Sequence, residues 1–373
     1  MAASEVRDGE FIWREDREHS TAQKIMRQIT LSKMLGTNRE NDETSEGLKV
    51  MDLFCGLGGF SEGARAAGCN VVFACDFDRE AINAHAINHP STKHWVCELP
   101  RDDLPFPKNG NFHIHGSPPC QQFSTVRAES DGDRDEHAMQ KAKELVEWYV
   151  TTAVTCGAAS WSMEQVASKR VVEILERLRK RFPKKVAFGV FRFDSLGVPQ
   201  TRRRVIAGSP HLVARLQRLS TNEKLRRSVR DVISKPRGTH IRNSKHWTTL
   251  SRSLGGVIKY TKSSLGEHTH TIDGPAPTVL CGSGCISWIT RYSNGKFERK
   301  KGSWLTARER LALQTFPACY RIPPDHALCC RLIGNAVPPR IATLMMTDDQ
   351  AGLGSDSPTS PSLFWKPREL VFS

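Results

Sequence analysis

The chain has 373 residues, of which 38% are hydrophobic and 25% charged, and its formal net charge is +14. The mean hydropathy is −0.44 and no apolar run approaches about 18 residues, which excludes a membrane-spanning segment. The first residues lack the apolar core of a secretory signal, and the 11 cysteines are odd in number and irregularly spaced. We therefore expect an intracellular protein that is not secreted and has no membrane partner. We also expect a monomer, located in the nucleus if the source is eukaryotic and in the cytoplasm otherwise.

Residues 1–47 are polar and charged with no sustained apolar period, which predicts a mobile extension. Ordered structure is predicted to begin with a buried strand at 48–54, a glycine turn, a helix at 61–67 and a second strand at 71–74. This unit is the opening of a Rossmann-like α/β sheet. Strands and helices then alternate, which favours a mostly parallel sheet. The further strands are predicted at 94–96, 112–114, 160–163, 185–191 and 203–207, and the helices at 79–88, 135–155 and 169–181.

The alternation stops near Ser209. Residues 210–300 are rich in Arg, Lys, Ser, Thr and Gly, which predicts an irregular, β-leaning second domain. A helix returns at 305–314, where Thr306 and Glu309 have the spacing of a capping box, and a last helix is predicted to end near 346. The predicted organisation is an extension at 1–47, a large α/β domain at 48–208 plus 303–346, a smaller basic domain at 209–302 and a Ser/Pro-rich tail at 347–373.

The positive charge is concentrated in one central block. Residues 201–300 hold 13 arginines and 7 lysines against 3 glutamates and 2 aspartates, a net charge of +15, which exceeds that of the whole chain. Such a polarised block is typical of a polyanion-binding surface. A basic face that is simply solvated is the alternative interpretation.

The segment 116–125, Gly-Ser-Pro-Pro-Cys-Gln-Gln-Phe-Ser-Thr, is the most informative stretch of the chain. Its two prolines fix φ and remove backbone donors, so Cys120 is expected on a stiff loop rather than in a helix or central strand. The loop follows the predicted strand at 112–114, and open α/β sheets build their sites at the carboxyl ends of strands. Cys120 is therefore a candidate nucleophile, with a buried, inert cysteine as the alternative.

A glycine-rich turn with Gly56, Gly58 and Gly59 follows the first strand and precedes a helix, as a nucleotide-type cofactor site requires. Asp76 ends the second strand, where its carboxylate can accept hydrogen bonds from ribose hydroxyls, and Phe77 beside it can stack on adenine. Dinucleotides and S-adenosylmethionine both suit this pattern, but the Phe-x-Gly-x-Gly-Gly spacing favours the sulfonium cofactor. An Asp76 that only caps the next helix is the alternative.

In their joint order and spacing these motifs resemble the cytosine-C5 DNA methyltransferases over residues 48–346. The resemblance extends to Cys97-Glu98-Leu99, to Glu164-Gln165-Val166, to a Gln-x-Arg-x-Arg segment at 200–204 and to 333–339. It implies a Rossmann-like S-adenosylmethionine-dependent methyltransferase sheet, a basic target-recognition domain at 209–302, S-adenosyl-L-methionine as cofactor and double-stranded DNA as partner. The residues that it assigns to cofactor binding are Asp52, Phe54, Gly56, Leu57, Gly58, Gly59, Asp76, Phe77, Glu98, Leu99, Pro119, Asn335 and Val337. Those that it assigns to support of the active site are Gln122, Ser124, Gln165 and Gln200.

Methylation of cytosine at C5 needs a nucleophile that adds to C6, since C5 alone is a poor nucleophile. The thiolate of Cys120 is expected to take this role, and Glu164 is expected to stabilise charge at N3 if burial raises its pKa. Arg202 and Arg204 are expected to lower the pKa of the thiol and to hold O2 of the base or a phosphate, while Arg203 points the other way. The target base must also be flipped out of the duplex.

Gln165 stands where the family has Asn, and we hypothesise reduced but non-zero activity. The polar segment 127–136 after the nucleophile is a candidate lid over the flipped base, with an ordinary exposed loop as the alternative. No metal is expected, because the His and Cys pairs within 268–285 suit no common zinc module closely.

Two other functions stay open. A tRNA cytosine-C5 methyltransferase would share the fold, but such enzymes have a compact recognition segment, whereas the segment here runs from 209 to 302. An inactive, DNA-binding regulatory relative would bind the cofactor without turnover. The joint presence of Cys120, Glu164 and both arginines speaks against it. No motif in 209–302 encodes the target context, which depends on contacts to base edges.

Overall fold

The computed structural model describes residues 47–123, 136–243, 269–282, 286–291, 297–298 and 304–347. The predicted extension up to residue 46, the tail from 348, nearly all of the candidate lid, Ser124, His268 and Cys285 lie outside the described residues. Among the helices of the described ranges, none combines the length and the apolar character that crossing a bilayer demands.

Seven strands form the central sheet: β1 Lys49–Leu53, β2 Asn70–Asp76, β3 Lys93–Val96, β4 Phe112–Gly116, β5 Ser160–Val166, β6 Ala187–Arg192 and β7 Arg203–Gly208. Their order is β3-β2-β1-β4-β5-β7-β6. All neighbouring pairs are parallel except the two that involve β7, which runs antiparallel to β5 and to β6. The prediction of a mostly parallel, Rossmann-like sheet is confirmed.

The order of the strands creates a switch point between β1 and β4. From β1 the chain runs outward through β2 to β3, and it then returns to β4 on the other side of β1. Connections diverge at such a point, which leaves a crevice at the carboxyl ends of the strands. The glycine turn follows β1 and the Cys120 loop follows β4, so both loops begin at this crevice.

Helices cover both faces of the sheet. The helices are α1 Gly59–Ala66, α2 Arg79–Asn88, α3 Glu136–Thr155, α4 Lys169–Arg181, α5 Pro210–Ser220, α6 Val229–Val232, α7 Ala307–Leu313, α8 His326–Asn335 and α9 Pro339–Met346. On one face, Tyr149 of α3 and Leu175 of α4 belong to one buried cluster with Ile114 of β4. On the other face, α1, α5 and α9 share a cluster with Val50 of β1 and Ile206 of β7. The sheet is therefore the middle of three layers.

Capping side chains explain where α2 and α4 begin, and both helices begin at the predicted residue. The side chain of Asp78 accepts hydrogen bonds from the backbone N–H groups of Glu80 and Ala81, at 3.0 and 3.4 Å. Ser168 accepts one from Val171 in the same way at the start of α4. These side chains satisfy N–H groups that have no partner within the first turn of a helix.

The prediction of irregular structure from residue 210 is wrong for α5. This helix has Pro210 in its first turn, where proline is favoured. Its buried positions follow the helical period, but the basic and polar composition of the segment makes this period hard to recognise in the sequence. The helix packs against the central sheet, so the layer that covers this face continues to Ser220. The buried residues are Leu212, Val213, Leu216 and Leu219.

A second, antiparallel sheet lies within the basic block. Its strands are β8 His240–Asn243, β9 Thr269–Thr271, β10 Ile286–Arg291 and β11 Phe297–Glu298, in the order β11-β10-β8-β9. Ile241 of β8 and Trp288 of β10 share a buried cluster with Leu311 of α7 and Ile333 of α8. This sheet is therefore joined through its core to the helices that follow it in the chain.

Glu309 both caps α7 and fastens it to the second sheet. The predicted capping box is confirmed: the N–H of Thr306 donates to the Glu309 carboxylate at 2.7 Å, and the N–H of Glu309 donates to Thr306 Oγ1 at 3.2 Å. The same carboxylate accepts a bond from Arg237 at 2.7 Å and from the indole N–H of Trp288 at 3.1 Å. One side chain therefore sets the start of a helix and its distance from β10.

We predict that Gly63→Ala destabilises the protein although alanine favours helices. Gly63 lies inside α1, and a Cβ there would overlap the carbonyl oxygen of Pro339 and lie 2.6 Å from Cβ of Ala342 in α9. Overpacking of this kind lowers the free energy of unfolding by about 1–3 kcal/mol, which urea denaturation would measure. Gly274→Ala is the control, because its Cβ would meet only the Thr271 carbonyl oxygen at 3.8 Å. Equal stability of the two variants would contradict the prediction.

Candidate active site

Backbone and side-chain hydrogen bonds fix the loop that carries Cys120. The N–H of Ser117 donates to the carbonyl at the end of β1 (3.2 Å), and Nε2 of Gln165 donates to the carbonyl of Pro118 (3.0 Å). The chain then makes one 3-10 turn, in which the N–H of Phe123 donates to the Cys120 carbonyl at 3.1 Å. The half-buried thiol is therefore carried by backbone that is bonded to both β1 and β5.

Glu164, Arg202 and Arg204 form a buried charged cluster. Nε of Arg204 lies 2.9 Å and Nη2 of Arg202 lies 3.6 Å from Oε1 of Glu164. Arg202 is 2% exposed and its Nη1 donates to the carbonyl of Gly334 at 3.0 Å. Arg203 is exposed, which confirms that it points away from its two neighbours.

Two atoms of this cluster are buried without a hydrogen bond to any described residue: Oε1 of Glu164 and Nε of Arg202. The contact of Arg204 with Glu164 is an ion pair by distance, but its geometry is not that of a hydrogen bond. A buried polar atom without a partner costs about 1–3 kcal/mol, and each such atom in a native structure calls for an explanation. The cluster therefore presents one acceptor and one donor that a bound ligand can satisfy.

Arg204 and Arg202 lower the pKa of the Cys120 thiol as expected, but the net shift of this pKa is upward. Burial raises the pKa of the thiol, the negative charge of Glu164 raises it further, and together they outweigh the lowering by Arg204 and Arg202. The thiol is therefore protonated at neutral pH in this state. Burial, followed by the charge of Arg204, lowers the pKa of Arg202 to about 10, so this guanidinium remains cationic at neutral pH.

The turn after β1 has the shape of a ligand cradle. Phe54, Gly56 and Gly58 have φ values of 58°, 52° and 90°, and a left-handed phenylalanine costs of order 1–3 kcal/mol, as is found at functional sites. A Cβ on Gly56 would meet no atom within 4 Å, so this side of the turn is open. The turn is bonded to β2, because the Gly56 N–H donates to Oδ2 of Asp76 at 2.9 Å.

Asp76 and Phe77 lie at the carboxyl end of β2 and beside this turn. Oδ1 of Asp76 accepts from the Asp78 N–H at 3.0 Å, so each carboxylate oxygen has one backbone partner and can accept further bonds. Burial raises the pKa of Asp76. The alternative that Asp76 only caps α2 is wrong, because the cap is Asp78. Phe77 is 58% exposed, which leaves its ring available for stacking.

Other predicted cofactor residues are packed inside the turn rather than at its open side. Asp52 is 1% exposed and accepts from the N–H of Ser61 at 3.2 Å and from its hydroxyl at 2.7 Å. A Cβ on Gly59 would overlap the carbonyl oxygen of Val337, so glycine is needed for this close approach. These residues shape the turn, and their direct contact with a cofactor stays a prediction. The buried set is Asp52, Leu57, Gly58, Gly59 and Val337.

The remaining residues predicted to bind the cofactor or to support the active site differ in how far their side chains are exposed. Glu98 and Leu99 follow the carboxyl end of β3, and Asn335 ends α8; Glu98 and Asn335 are exposed and Leu99 is half-buried. Pro119 and Gln122 flank Cys120 and are half-buried. The side chains of these five residues therefore remain accessible, and their roles stay predictions.

Gln200 is a buried junction between three segments of the chain. Its Nε2 donates to the carbonyl of Leu313 at 2.9 Å and to the side chain of Gln314 at 2.8 Å. Its Oε1 accepts from the N–H of Val279 at 3.0 Å. Gln314 in turn donates to the carbonyl of Ile333 at 2.6 Å. Because Gln200 precedes Arg202 by two residues, this network also fixes the backbone that leads to the charged cluster.

Tyr320 supports the glycine turn, although no motif in the sequence marks it. Its hydroxyl donates to the carbonyl of Leu57 at 2.5 Å. A Cβ on Gly58 would lie 2.8 Å from the hydroxyl oxygen of Tyr320. The two residues are 263 positions apart, so no local pattern could have joined them. Within the described ranges, no group of three or more His, Cys, Asp or Glu side chains could hold a metal ion.

The comparison with known proteins decides the family. The model of the C-5 cytosine-specific DNA methylases matches residues 48–155 and 162–348. The chain belongs to this family. A Type II methyltransferase, M.HgiDI of Herpetosiphon aurantiacus, is 27% identical to this methylase over 318 residues, which cover 82% of this chain and 95% of the relative.

Two further relatives are similar to this methylase. The DNA (cytosine-5)-methyltransferase PliMCI of Paracentrotus lividus is 26% identical over 180 residues, which cover 43% of this chain and 11% of the relative. The crystal structure of a candidate DNA modification methyltransferase encoded within an E. coli prophage superposes with a TM-score of 0.52 at 20% identity, covering 80% of this chain and 97% of that one. This likeness supports the fold.

We predict that Asp52 makes the methylase less stable as the pH rises from about 4 to 7. Burial raises the pKa of Asp52 to about 7, whereas the carboxyl ionises near pH 3.9 in the unfolded chain. Ionisation in this interval therefore favours the unfolded chain, by up to about 4 kcal/mol at pH 7. Urea denaturation of Asp52→Asn and of the wild type at several pH values would show a difference that grows with pH in favour of Asn. Parallel pH profiles would contradict the prediction.

The contacts of Gln165 favour the opposite of the hypothesis drawn from the sequence, which stays untested. Its side chain is fully buried, its Nε2 holds the Pro118 carbonyl, and its Oε1 accepts from the Val166 N–H at 2.8 Å. The shorter side chain in Gln165→Asn cannot keep both bonds at this backbone spacing, so we predict a loss of turnover of about tenfold, the effect of one lost bond to a buried group. Steady-state methyl transfer would measure it. The exposed Gln140→Asn is the control, and higher turnover of Gln165→Asn would restore the hypothesis drawn from the sequence.

Proposed function

We propose that this methylase transfers the methyl group of S-adenosylmethionine to C5 of a flipped-out cytosine in double-stranded DNA, through a covalent bond between Cys120 and C6. The observation that carries the proposal is the buried cluster of Glu164, Arg202 and Arg204 beside the Cys120 loop, in which Oε1 of Glu164 and Nε of Arg202 make no hydrogen bond. Family membership supports the same reaction. The names of the relatives favour DNA over tRNA as the substrate.

The carboxyl ends of β1 and β2, on one side of the crevice, carry residues that suit the cofactor. Asp76 would accept hydrogen bonds from the ribose hydroxyls, and the exposed ring of Phe77 would cover the adenine. The open side of Gly56 would allow the backbone to approach the ligand closely. When bound, S-adenosylmethionine supplies an electrophilic methyl group.

The cytosine ring would be bound with C6 next to Sγ of Cys120. As the thiolate adds to C6, electron density rises at C5 and N3, and Glu164 would hold a proton or a hydrogen bond at N3. Arg202 would donate from its unpartnered Nε to the ring carbonyl O2. The methyl group would pass to C5, leaving S-adenosylhomocysteine, after which C5 would give its proton to solvent water and the thiolate would leave C6. The aromatic ring and free Cys120 are thereby restored.

The arginines account for how a thiol with a raised pKa becomes a nucleophile. Two guanidinium groups face one carboxylate, so the cluster has one more positive than negative charge. The proton that leaves the Cys120 thiol would pass to Glu164, which would hold it at N3 of the base and so lose the negative charge that raises the pKa of the thiol. Binding of the base therefore favours the thiolate at the moment when it is needed.

The basic block supports duplex DNA as the partner. Its net charge of +15 lies in residues 201–300, which include the second sheet. Contacts of Arg and Lys with phosphates give affinity and orientation, whereas contacts with base edges give specificity.

The test is the transfer of labelled methyl from S-adenosylmethionine to duplex DNA, with total tRNA as a parallel substrate. Cys120→Ala is expected to lower transfer to DNA by roughly a thousandfold or more, because it removes the nucleophile, while cofactor binding is kept. Cys319→Ala, which removes an exposed cysteine, is the control and should keep full activity. Label in tRNA alone would assign the chain to RNA methylation. Cofactor binding without any transfer would assign it to inactive regulatory relatives.

A further inference from the structure

Five buried or half-buried side chains, four on β4 and β5 and one directly after β4, form a continuous row of hydrogen bonds that no step of the proposed reaction uses. His113 bonds Ser160 at 2.8 Å and Ser162 at 2.9 Å, and His115 bonds Ser162 at 2.8 Å and Ser117 at 3.0 Å. The parallel register pairs His113 with Ser160 and His115 with Ser162. We name this row the His–Ser ladder.

The ladder runs towards the active site. Side chains two positions apart on a strand share a face, so Ser160, Ser162 and Glu164 lie on one face of β5. On β4 the same face carries His113 and His115, and Ser117 follows at the start of the Cys120 loop. Gly116 pairs with Met163, so Ser117 and Glu164 occupy the next position along the two chains. The last member of the ladder is therefore three residues from the nucleophile.

The bonds of the ladder are directional. His113, His115 and Ser162 are fully buried, and burial lowers the pKa of His113 to about 3 and that of His115 well below its usual value. Both rings are therefore neutral, and each has one N–H donor and one acceptor nitrogen. The Ser162 hydroxyl has one proton for two rings, so donation to one ring leaves it to accept from the other. The tautomer of each ring is thus tied to that of its neighbour.

An aromatic ring holds the histidines in place. Phe60 stacks on His115 with a centroid distance of 3.6 Å and an interplanar angle of 2°, and on His113 at 5.6 Å and 14°. Phe60 directly follows Gly59 of the glycine turn. The ladder is therefore connected to the glycine turn through Phe60 and to the Cys120 loop through Ser117.

We propose that His115, oriented by Ser162 and Phe60, is a positioning residue that holds the Cys120 loop through Ser117. Among the described residues, the other restraints on the loop are the bond from Gln165 to Pro118, the backbone bonds of Ser117 and Phe123, and the burial of Phe123 in the core. The His115–Ser117 bond acts on the side chain immediately before the two prolines, whose stiffness transmits the position of Ser117 to Cys120. The effect on turnover rests on the proposed function, whereas the effect on the loop does not.

The test compares two rates in Ser162→Ala and Ser117→Ala. The first is alkylation of Cys120 by iodoacetamide in the free enzyme, followed by peptide mass spectrometry because the chain has 11 cysteines. A loosened loop exposes the thiol and removes the burial that raises its pKa, so alkylation should become about threefold faster or more. The second is kcat for methyl transfer, which should fall about tenfold with KM for DNA nearly unchanged, because the nucleophile is misplaced.

Thr92→Val is the matched control, since it removes a buried hydroxyl that donates to the Val71 carbonyl at 2.8 Å elsewhere in the sheet. A purely structural effect would change both rates alike in the control and in the ladder variants. His115→Gln restores a donor and an acceptor and should recover part of kcat relative to His115→Phe. Ser117 is half-buried, so Ser117→Ala should fold even where a variant of the buried ladder does not.

Alkylation of Cys120 in Ser162→Ala and Ser117→Ala at the rate of Thr92→Val would overturn the proposal, and so would an unchanged kcat. If the wild type transfers no methyl group to DNA, the proposed function fails, and the alkylation rates alone decide the role of the ladder.

Discussion

Burial of one glutamate against two arginines is the constraint on which the chemistry of this methylase depends. Glu164 and Arg202 are 5% and 2% exposed, so water screens their charges little. A surplus positive charge in such a place costs several kcal/mol unless an anion joins it. The thiolate of Cys120 is an anion that this chain can itself supply. The same burial that raises the pKa of the thiol in the free protein also strengthens its attraction to the guanidinium groups once a base fills the crevice.

This charge arrangement requires segments that are far apart in the sequence. The antiparallel register of β5 and β7 pairs Val166 with Arg204, which brings the arginine alongside Glu164. Arg202 is held by the carbonyl of Gly334, next to the end of α8. Gln200, two residues earlier, is bonded to the end of α7 and to Val279. The segment between β9 and β10 and the helices α7 and α8 thus hold a cluster that lies on the central sheet.

Much of the fold was predictable because its signals are local. The caps Asp78 and Ser168 and the apolar period of α4 define two helices to the residue, and the glycine turn and the Pro-Pro-Cys segment place two site loops at strand ends. α5 was missed because its apolar period is embedded in a basic composition. The net pKa of Cys120, the bond of Gln165 to Pro118 and the role of Tyr320 could not be predicted, since each depends on burial and on partners distant in the chain.

The contact between α1 and α9 has a consequence for synthesis of the chain. Gly59 and Gly63 lie against the carbonyls of Val337 and Pro339, and Thr343 donates to the carbonyl of Gly63 across a separation of 280 residues. At about 5–20 residues per second, a ribosome needs roughly 15–60 s to make this intervening chain. During that interval the glycine face of α1 has no partner. The glycine turn gains this support only after α9 has been made, so a product that terminates before α9 contains the nucleophile but not the assembled site.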